Sequence, residues 1–300
     1  MELHQLRYFV AVAQAGNFSR AAERCFVSQP SLSQQIQKLE RQLKRPLFHR
    51  LGRKAVLTDA GRLLFDKAMQ ILAGVEDAER RLRGGDDAQS GRLSVGAIPT
   101  IAPFVLPDAL RRFTKSLPQA ELMIREDVTE HLVAAVAEGE LDLAVVALPI
   151  EDPRLHVETL CTEPLFLAVP RQHPLAKPRR KVTVQDLVGE RFILMGDMHC
   201  LGETVLNFCR SRDCQPFIAC RSAQISTIQQ LIGLGQGISL LPDMARRADT
   251  SGTIIYRRLE EPQPERKLAV IWHKHYFHSP LAHKFLAELR LWAKEAGRST

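Results

Sequence analysis

At 300 residues and 33.8 kDa the chain is too long for one minimal domain and fits two to three at about 100–200 residues each. Its 45% hydrophobic and 25% charged residues are ordinary globular composition, which excludes wholesale disorder; no apolar run approaches the roughly 18 residues of a membrane span. The net charge of +7 is local: Met1–Thr58 carries ten Lys or Arg against Glu2, Glu23 and Glu40, and the rest of the chain carries 31 bases and 31 acids. A charge confined to the first fifth of a chain suits a polyanion, although a solvated basic face gives the same count. Met1–Phe9 lacks a signal-peptide pattern, so a cytoplasmic protein is expected. Six cysteines are too few for a disulfide scaffold, and in a reducing compartment a disulfide would be regulatory or catalytic.

The first segment has helical periodicity. Leu6, Phe9, Val10 and Ala13 form a stripe ending near Gly16-Asn17, and Ser19 is read as the cap of a second helix with Ala21, Ala22 and Cys25. Ser28 caps a third helix that tolerates Pro30 in its first turn. Leu32, Ile36, Leu39 and Leu43 give that helix one buried face, and Gln29, Ser33, Gln34, Gln37, Lys38 and Arg41 give it a polar one. Two helices joined by a tight turn, the second apolar behind and polar in front, describe a helix-turn-helix. Leu47–Arg50 and Ala55–Leu57 read as a hairpin wing with Arg53 and Lys54 at its tip. From Thr58 a long helix runs towards Leu82 with apolar residues Leu64, Ala68, Ile71, Val75, Ala78 and Leu82 at coiled-coil spacing. That seam serves dimerisation or packing within the chain. Gly84–Asp87 and Ser90-Gly91 then form a hinge.

The remainder alternates strand and helix. Leu93–Ala97 reads as a strand, followed by helices near Pro107–Lys115 and Glu130–Glu138 around a strand at Glu121–Arg125. The apolar run Leu141–Leu148 reads as the central strand of a parallel sheet. Further strands are expected at Leu165–Val169, Phe192–Met195, Ile238–Leu241 and Leu268–Trp272, with a final helix near Pro280–Ala293. The expected fold is a winged helix-turn-helix with a long linker helix, then a doubly wound, two-lobed α/β domain. The boundaries are 1–58 for the DNA-binding domain, 59–89 for the linker helix and hinge, and 90–300 for the effector domain. Lobe I takes 90–163 and 268–300; lobe II takes 164–267.

Side chains that hydrogen-bond base edges belong in the first turns of the second helix of such a motif, and bases around it hold phosphates. The candidates are Gln29, Ser31, Ser33 and Gln34 for bases, with Lys38, Arg50, Arg53 and Lys54 for backbone or minor groove. The stretches Ala21-Ala22, Val27–Ile36, Leu39-Glu40, Leu43, Leu47–Arg50 and Leu57–Gly61 resemble the winged helix of LysR-type transcriptional regulators. The rest of the chain has the layout of that family's effector domain. The resemblance implies a homotetramer assembled from dimers, double-stranded operator DNA at paired half-sites, RNA polymerase as a partner, and a periplasmic-binding-protein-like effector domain.

Within that family, His199-Cys200-Leu201 followed by Phe208-Cys209, together with Ala97-Ile98-Pro99-Thr100 and Arg266, resembles the OxyR branch of hydrogen-peroxide sensors. The resemblance implies that Cys200 is oxidised to a sulfenic acid and that Cys209 resolves it as a reversible disulfide, activating transcription under oxidative stress without a cofactor. Peroxide attack needs a thiolate, and an ordinary thiol, with a pKa near ~8.5, is only a few per cent ionised at neutral pH. Arg266 or a protonated His199 would favour the anion, and Thr100 would donate a hydrogen bond. Were the segment between the cysteines helical, nine residues at 1.5 Å each would hold the Cα atoms about 13 Å apart. A disulfide needs about 7 Å or less, so the helix would have to unwind. In this chain Gly202-Glu203 stands where an Arg-Asp pair commonly follows in that branch, and Met198 precedes the histidine.

Cys25 reads as core packing and Cys161 has no companion in sequence. Cys214 and Cys220 are close enough to compete for Cys209. The cysteine spacings contain no C-x-x-C, which argues against a structural zinc site, and no metal is expected. Three other functions compete. A sister regulator would bind a small anionic metabolite through Thr100, Gln224, Ser226 and Thr227. A thiol peroxidase would leave the basic N-terminal segment without purpose, so no enzyme is expected. A solute-binding protein would require export.

Overall fold

The computed structural model describes residues 1–51, 54–83, 91–260, 262–274 and 279–298. Two compact units divide the chain, Met1–Ala88 with His275–Ser279, and Gln89–Lys274 with Pro280–Thr300. Among the described residues no helix is long and apolar enough to cross a membrane.

The first unit contains α1 (Leu3–Ala15), α2 (Phe18–Arg24), α3 (Gln29–Leu43), the antiparallel hairpin of β1 (Phe48–Leu51) and β2 (Lys54–Leu57), and α4 (Asp59–Arg83). Its core gathers Leu6, Phe9, Val12, Ala21, Ala22, Leu32, Ile36, Leu39, Leu47, Phe48 and Ala68. Phe48 of the wing sits 5.3 Å from Phe9 and 5.7 Å from Phe18, ring centre to ring centre, so the hairpin is part of the core. The cap of α2 is Asn17, whose Oδ1 accepts from the backbone N–H of Ser19 and Arg20, not the expected Ser19. Asn at this position reaches the first-turn donors just as well as Ser does. Leu43 also departs from expectation: it is exposed, because it lies in the last turn of α3 where the packed face has run out.

Helix α4 is fixed by the segment before it. Thr58 Oγ1 donates to the Pro46 carbonyl and accepts from the Gly61 N–H. A Cβ on Gly61 would collide with the Leu47 carbonyl oxygen, so only glycine lets α4 lie this close. The start of the expected coiled-coil seam is used inside this unit: Ala68 is fully buried and Leu64 packs against the core. Ile71 is exposed, and the side chains of Ala78 and Leu82, like the hinge 84–90, lie outside the described residues.

The second unit begins with β3 (Gly91–Ala97), α5 (Ala102–Ser116), β4 (Ala120–Glu126), α6 (Thr129–Ala137) and β5 (Leu143–Ala147). It continues with the 16-residue β6 (Leu155–Pro170), β7 (Arg191–Met195), α7 (Cys200–Arg210), β8 (Phe217–Ser222), α8 (Ile225–Gly233), β9 (Ser239–Pro242) and α9 (Asp243–Ala248). It ends with β10 (Ile254–Arg257), β11 (Glu265–His273) and α10 (Pro280–Arg298). The main sheet runs β10-β6-β11-β5-β3-β4, with β9 also paired to β6, and β7 pairs with β8 in parallel. One buried cluster gathers β3, α5, α6, β5, the start of β6, β11 and α10, and a second gathers the end of β6, β7, α7, α8 and β9.

Four readings change. The sheet is mixed: β3 runs parallel to β4 and β5, and β11 runs antiparallel to β5 and β6. Helix α5 starts five residues before Pro107, which sits inside it. The buried stripe Ala102, Val105, Leu106, Ala109 and Phe113 outweighs the one hydrogen bond that proline forfeits. Strand β6 begins ten residues before Leu165; those ten residues carry Glu158, Glu163 and Pro164, whose polarity hides the strand, and β11 runs along them with one bulge. Strands β8 and β10 escaped notice because β8 is largely exposed and β10 has only four residues.

Candidate functional site

In the first unit, α3 begins with Ser28 Oγ accepting from the Ser31 N–H. At its other end Glu40 Oε1 accepts from the Leu47 N–H at 2.8 Å and the Phe48 N–H at 3.3 Å, fastening helix to wing. This tie by Glu40 depends on the fold, because its N–H partners lie seven and eight residues away in the wing. On the outward face Gln29, Ser31, Gln34, Gln37 and Lys38 are exposed and Ser33 is half-buried. One helix face therefore presents amides, hydroxyls and a cation in its first turns, the set that hydrogen-bonds base edges and phosphates. Arg50 and Lys54 stand on β1 and β2, but their side chains, and Arg53 altogether, lie outside the described residues.

In the second unit, a narrow crevice is lined by Ile98, Thr100, Val128, Thr129, Met198, His199 and Cys200. Thr100 follows β3 and Thr129 follows β4, and Ala97 and Glu126 face each other in the parallel ladder. The crevice, too tight for a water molecule in this conformation, lies at the carboxyl ends of neighbouring parallel strands, the position where α/β sheets bind ligands. That rule was the available signal for Thr129, which residue spacing alone did not reveal.

Cys200 is the first residue of α7 and His199 is its N-cap, without a side-chain cap hydrogen bond. The N-terminal end of a helix favours an anion through unpaired N–H groups and the helix dipole. Burial holds the His199 imidazole below its ordinary value, so at neutral pH it is uncharged and acts as a neutral neighbour of Cys200. Thr100 is almost fully buried, and its Oγ1 accepts from Arg266 Nη1 at 2.9 Å while its carbonyl accepts from Nη2 at 3.2 Å. Arg266 Nε also donates to Glu163 Oε2 at 2.8 Å, and both side chains are buried. Glu163 faces Arg266 across the β6–β11 ladder, which is why it was invisible before the strands were paired. Its carboxylate matches the guanidinium charge, and the Arg266 bond engages one lone pair of the Thr100 hydroxyl oxygen.

Cys209 lies nine residues along the same helix, fully buried in the second cluster beside Leu201 and Val205, whereas Cys200 packs against the first. Burial and the neighbouring Cys214 push the Cys209 thiol up to about 12. Burial pushes Cys161 up to about 11 and also raises Cys25. A Cβ on Gly202 would stand 2.8 Å from the Met195 carbonyl oxygen, so α7 docks on β7 more closely than any side chain there permits. Gln224, Ser226 and Thr227 form the exposed start of α8 and do not line the crevice that holds Thr100.

Two family models match the chain: the bacterial regulatory helix-turn-helix protein of the lysR family over residues 3–62, and the LysR substrate binding domain over residues 86–294. The hydrogen peroxide-inducible genes activator of Pectobacterium carotovorum is 34% identical over 274 residues, covering 91% of this chain and 90% of the relative. Full-length OxyR from Pseudomonas aeruginosa, solved as a variant, superposes with a TM-score of 0.79 at 30% identity, covering 97% of this chain and 95% of that one. An OxyR variant from Corynebacterium glutamicum, solved with hydrogen peroxide bound, gives a TM-score of 0.62 at 29% identity, covering 99% and 97%. The chain belongs to the LysR family of DNA-binding transcriptional regulators, and within it resembles OxyR.

Proposed function

We propose that this regulator is switched by hydrogen peroxide through a reversible Cys200–Cys209 disulfide, as an activator working in the cytoplasm. The observation that carries the reading is the crevice: Cys200 shares it with Thr100, Thr129 and His199 at the start of α7, while Cys209 is buried further along that helix. The Cys200 thiolate attacks one peroxide oxygen and the O–O bond breaks. Thr100, oriented by Arg266, donates a hydrogen bond to the departing oxygen, which leaves as hydroxide and takes up a proton to become water. Cys200 is then a sulfenic acid; as α7 opens and Cys209 leaves its burial, Cys209 gives up its proton and attacks the Cys200 sulfur, and the hydroxide expelled takes up that proton as water. About 13 Å of helix separates the two Cα atoms, so the disulfide forms only as α7 unwinds.

The DNA-binding domain is 1–58, the linker 59–89 and the effector domain 90–300, with lobes 90–163 plus 268–300 and 164–267. In this reading α3 reads base edges with Gln29, Ser31, Ser33 and Gln34, and Lys38 and the wing bases Arg50, Arg53 and Lys54 hold phosphates. A homotetramer of dimers joined through α4 spans paired half-sites and contacts RNA polymerase when active. Unwinding α7 biases a two-state arrangement of the effector domains and so the spacing of the DNA-binding pairs.

The test is stoichiometric peroxide on reduced full-length protein, followed by operator footprinting of wild type and Cys200→Ser. The wild-type footprint is expected to change and that of Cys200→Ser to stay fixed; identical footprints under oxidant would contradict peroxide sensing through this residue.

A further inference from the structure

Cys214 is a thiol that the disulfide above does not use. Helix α7 ends in a Schellman turn: the Cys214 N–H donates to the Cys209 carbonyl at 3.1 Å and the Asp213 N–H to the Arg210 carbonyl at 3.2 Å. Asp213 takes the left-handed conformation, φ +53°, that this turn requires. The turn folds the chain back so that Cys214 is brought beside the end of α7 that holds Cys209, and both side chains are fully buried in the same cluster. The other spare thiols differ: Cys220 is exposed on β8, Cys161 packs against the first cluster on β6, and Cys25 sits in the other unit.

We propose that Cys214 is a resetting cysteine: it takes over Cys209 from the Cys200–Cys209 disulfide by thiol–disulfide exchange and leaves a Cys209–Cys214 disulfide. The inference rests on the peroxide switch proposed above. The Cys214 thiolate attacks the Cys209 sulfur, the new S–S bond forms, the old one breaks, and Cys200 departs as a thiolate. The pair of electrons removed by peroxide stays removed, so no further oxidant or reductant enters the step.

Geometry gives the exchange its direction. The Cys200–Cys209 bond requires α7 to be unwound, and that unwinding lifts Leu201 and Val205 from the second cluster. The Cys209–Cys214 bond joins two side chains that the helical form already buries in one cluster across a single turn, so α7 can rewind with the disulfide in place. Cys200, released, returns to the first position of α7 as the helix rewinds. Burial raises both thiols, Cys209 up to about 12, so the exchange proceeds while α7 is open and the pair is less buried. The consequence is a switch that shuts itself off: the reduced fold of α7, and a free Cys200, are regained while the protein is still oxidised by two electrons.

Trypsin makes the two bonds distinguishable. Residues 192–210 form one peptide holding Cys200 and Cys209, and residues 213–221 form another holding Cys214 and Cys220. In full-length Cys220→Ser protein treated with stoichiometric peroxide, samples are quenched over time with an alkylating reagent and digested without reduction. The expected course is an internal disulfide in 192–210 first, replaced later by a cross-link between 192–210 and 213–221, with Cys200 alkylated again. In Cys214→Ser the internal disulfide persists and the oxidised footprint on operator DNA is held, whereas in protein retaining Cys214 the footprint returns to the reduced pattern.

An internal disulfide that never converts would overturn the exchange and leave the peroxide switch standing. A cross-link forming as fast in Cys200→Ser would also overturn it, since oxidation would then reach the buried pair directly. Absence of both bonds would remove the switch itself and the exchange with it.

Discussion

Helices α3 and α7 are both short, amphipathic and placed where the sequence demands chemistry, yet they are held in opposite ways. Helix α3 is fastened at each end: Ser28 caps its first turn, and Glu40 ties its last turns to the wing through two backbone N–H groups. Helix α7 starts without a side-chain cap, and its only polar side-chain anchor in the first turns is the Thr204 hydroxyl bonding back to the Cys200 carbonyl among the described residues. Its hold on the unit is the close seat of Gly202 on Met195 and the burial of Leu201, Val205 and Cys209. A helix that reads a rigid duplex profits from fixed geometry. A helix that must unwind to join two sulfurs profits from an end that is cheap to open.

That contrast can be broken by mutation, starting beside the crevice. Glu163→Ala strips the partner from buried Arg266 and is expected to destabilise the second unit by about 3–5 kcal/mol in denaturant unfolding. Replacing both residues by apolar ones of similar volume should recover much of that loss while leaving peroxide reactivity impaired, because Thr100 is no longer oriented. On the α3 side, Gln29→Ala or Ser33→Ala should weaken operator binding by about 1–3 kcal/mol and largely spare non-specific DNA. Binding should fall with salt at a log–log slope near −0.9 per phosphate neutralised; a flat response would remove the basic winged helix from the interface. Ser28→Ala removes the α3 cap and should cost about 1 kcal/mol of stability in the first unit, with no effect on disulfide formation.

The smallest effect concerns pH. His199 is held below its ordinary value of 6.5 by burial, so the undocked form of α7 binds a proton more readily than the docked one. Docking is unaffected above that value and weakens as pH falls below it. Hydrogen exchange of the α7 amides across about pH 5–8 should show faster opening at the acid end, and His199→Gln should flatten the profile.

Much of this was legible in the residues. The buried faces of α1 and α3, the Ser28 cap, the hairpin wing, and the run that became β5 follow from local periodicity and turn chemistry, which a single chain displays. What escaped depends on partners remote in sequence. Glu163 meets Arg266 only when β6 pairs with β11, and the polar residues of the first ten positions of β6 concealed that strand. Thr129 meets Thr100 only because β3 and β4 run side by side. Gly202 looked like a lost charge in the sequence; in the fold it is where helix and strand come too close for a side chain. Cys214 was visible as one competitor among several, and the turn that seats it on Cys209 belongs to the structure alone.

The central claim is that oxidation opens α7. Hydrogen exchange of full-length protein, reduced and after stoichiometric peroxide, measures it directly on the amides of residues 200–210, in Cys214→Ser so that the first disulfide persists. The account predicts that protection across these residues collapses on oxidation while α3 stays protected to the same degree. A Cys200–Cys209 disulfide present in full, with α7 amides as slow as in the reduced protein, would contradict it.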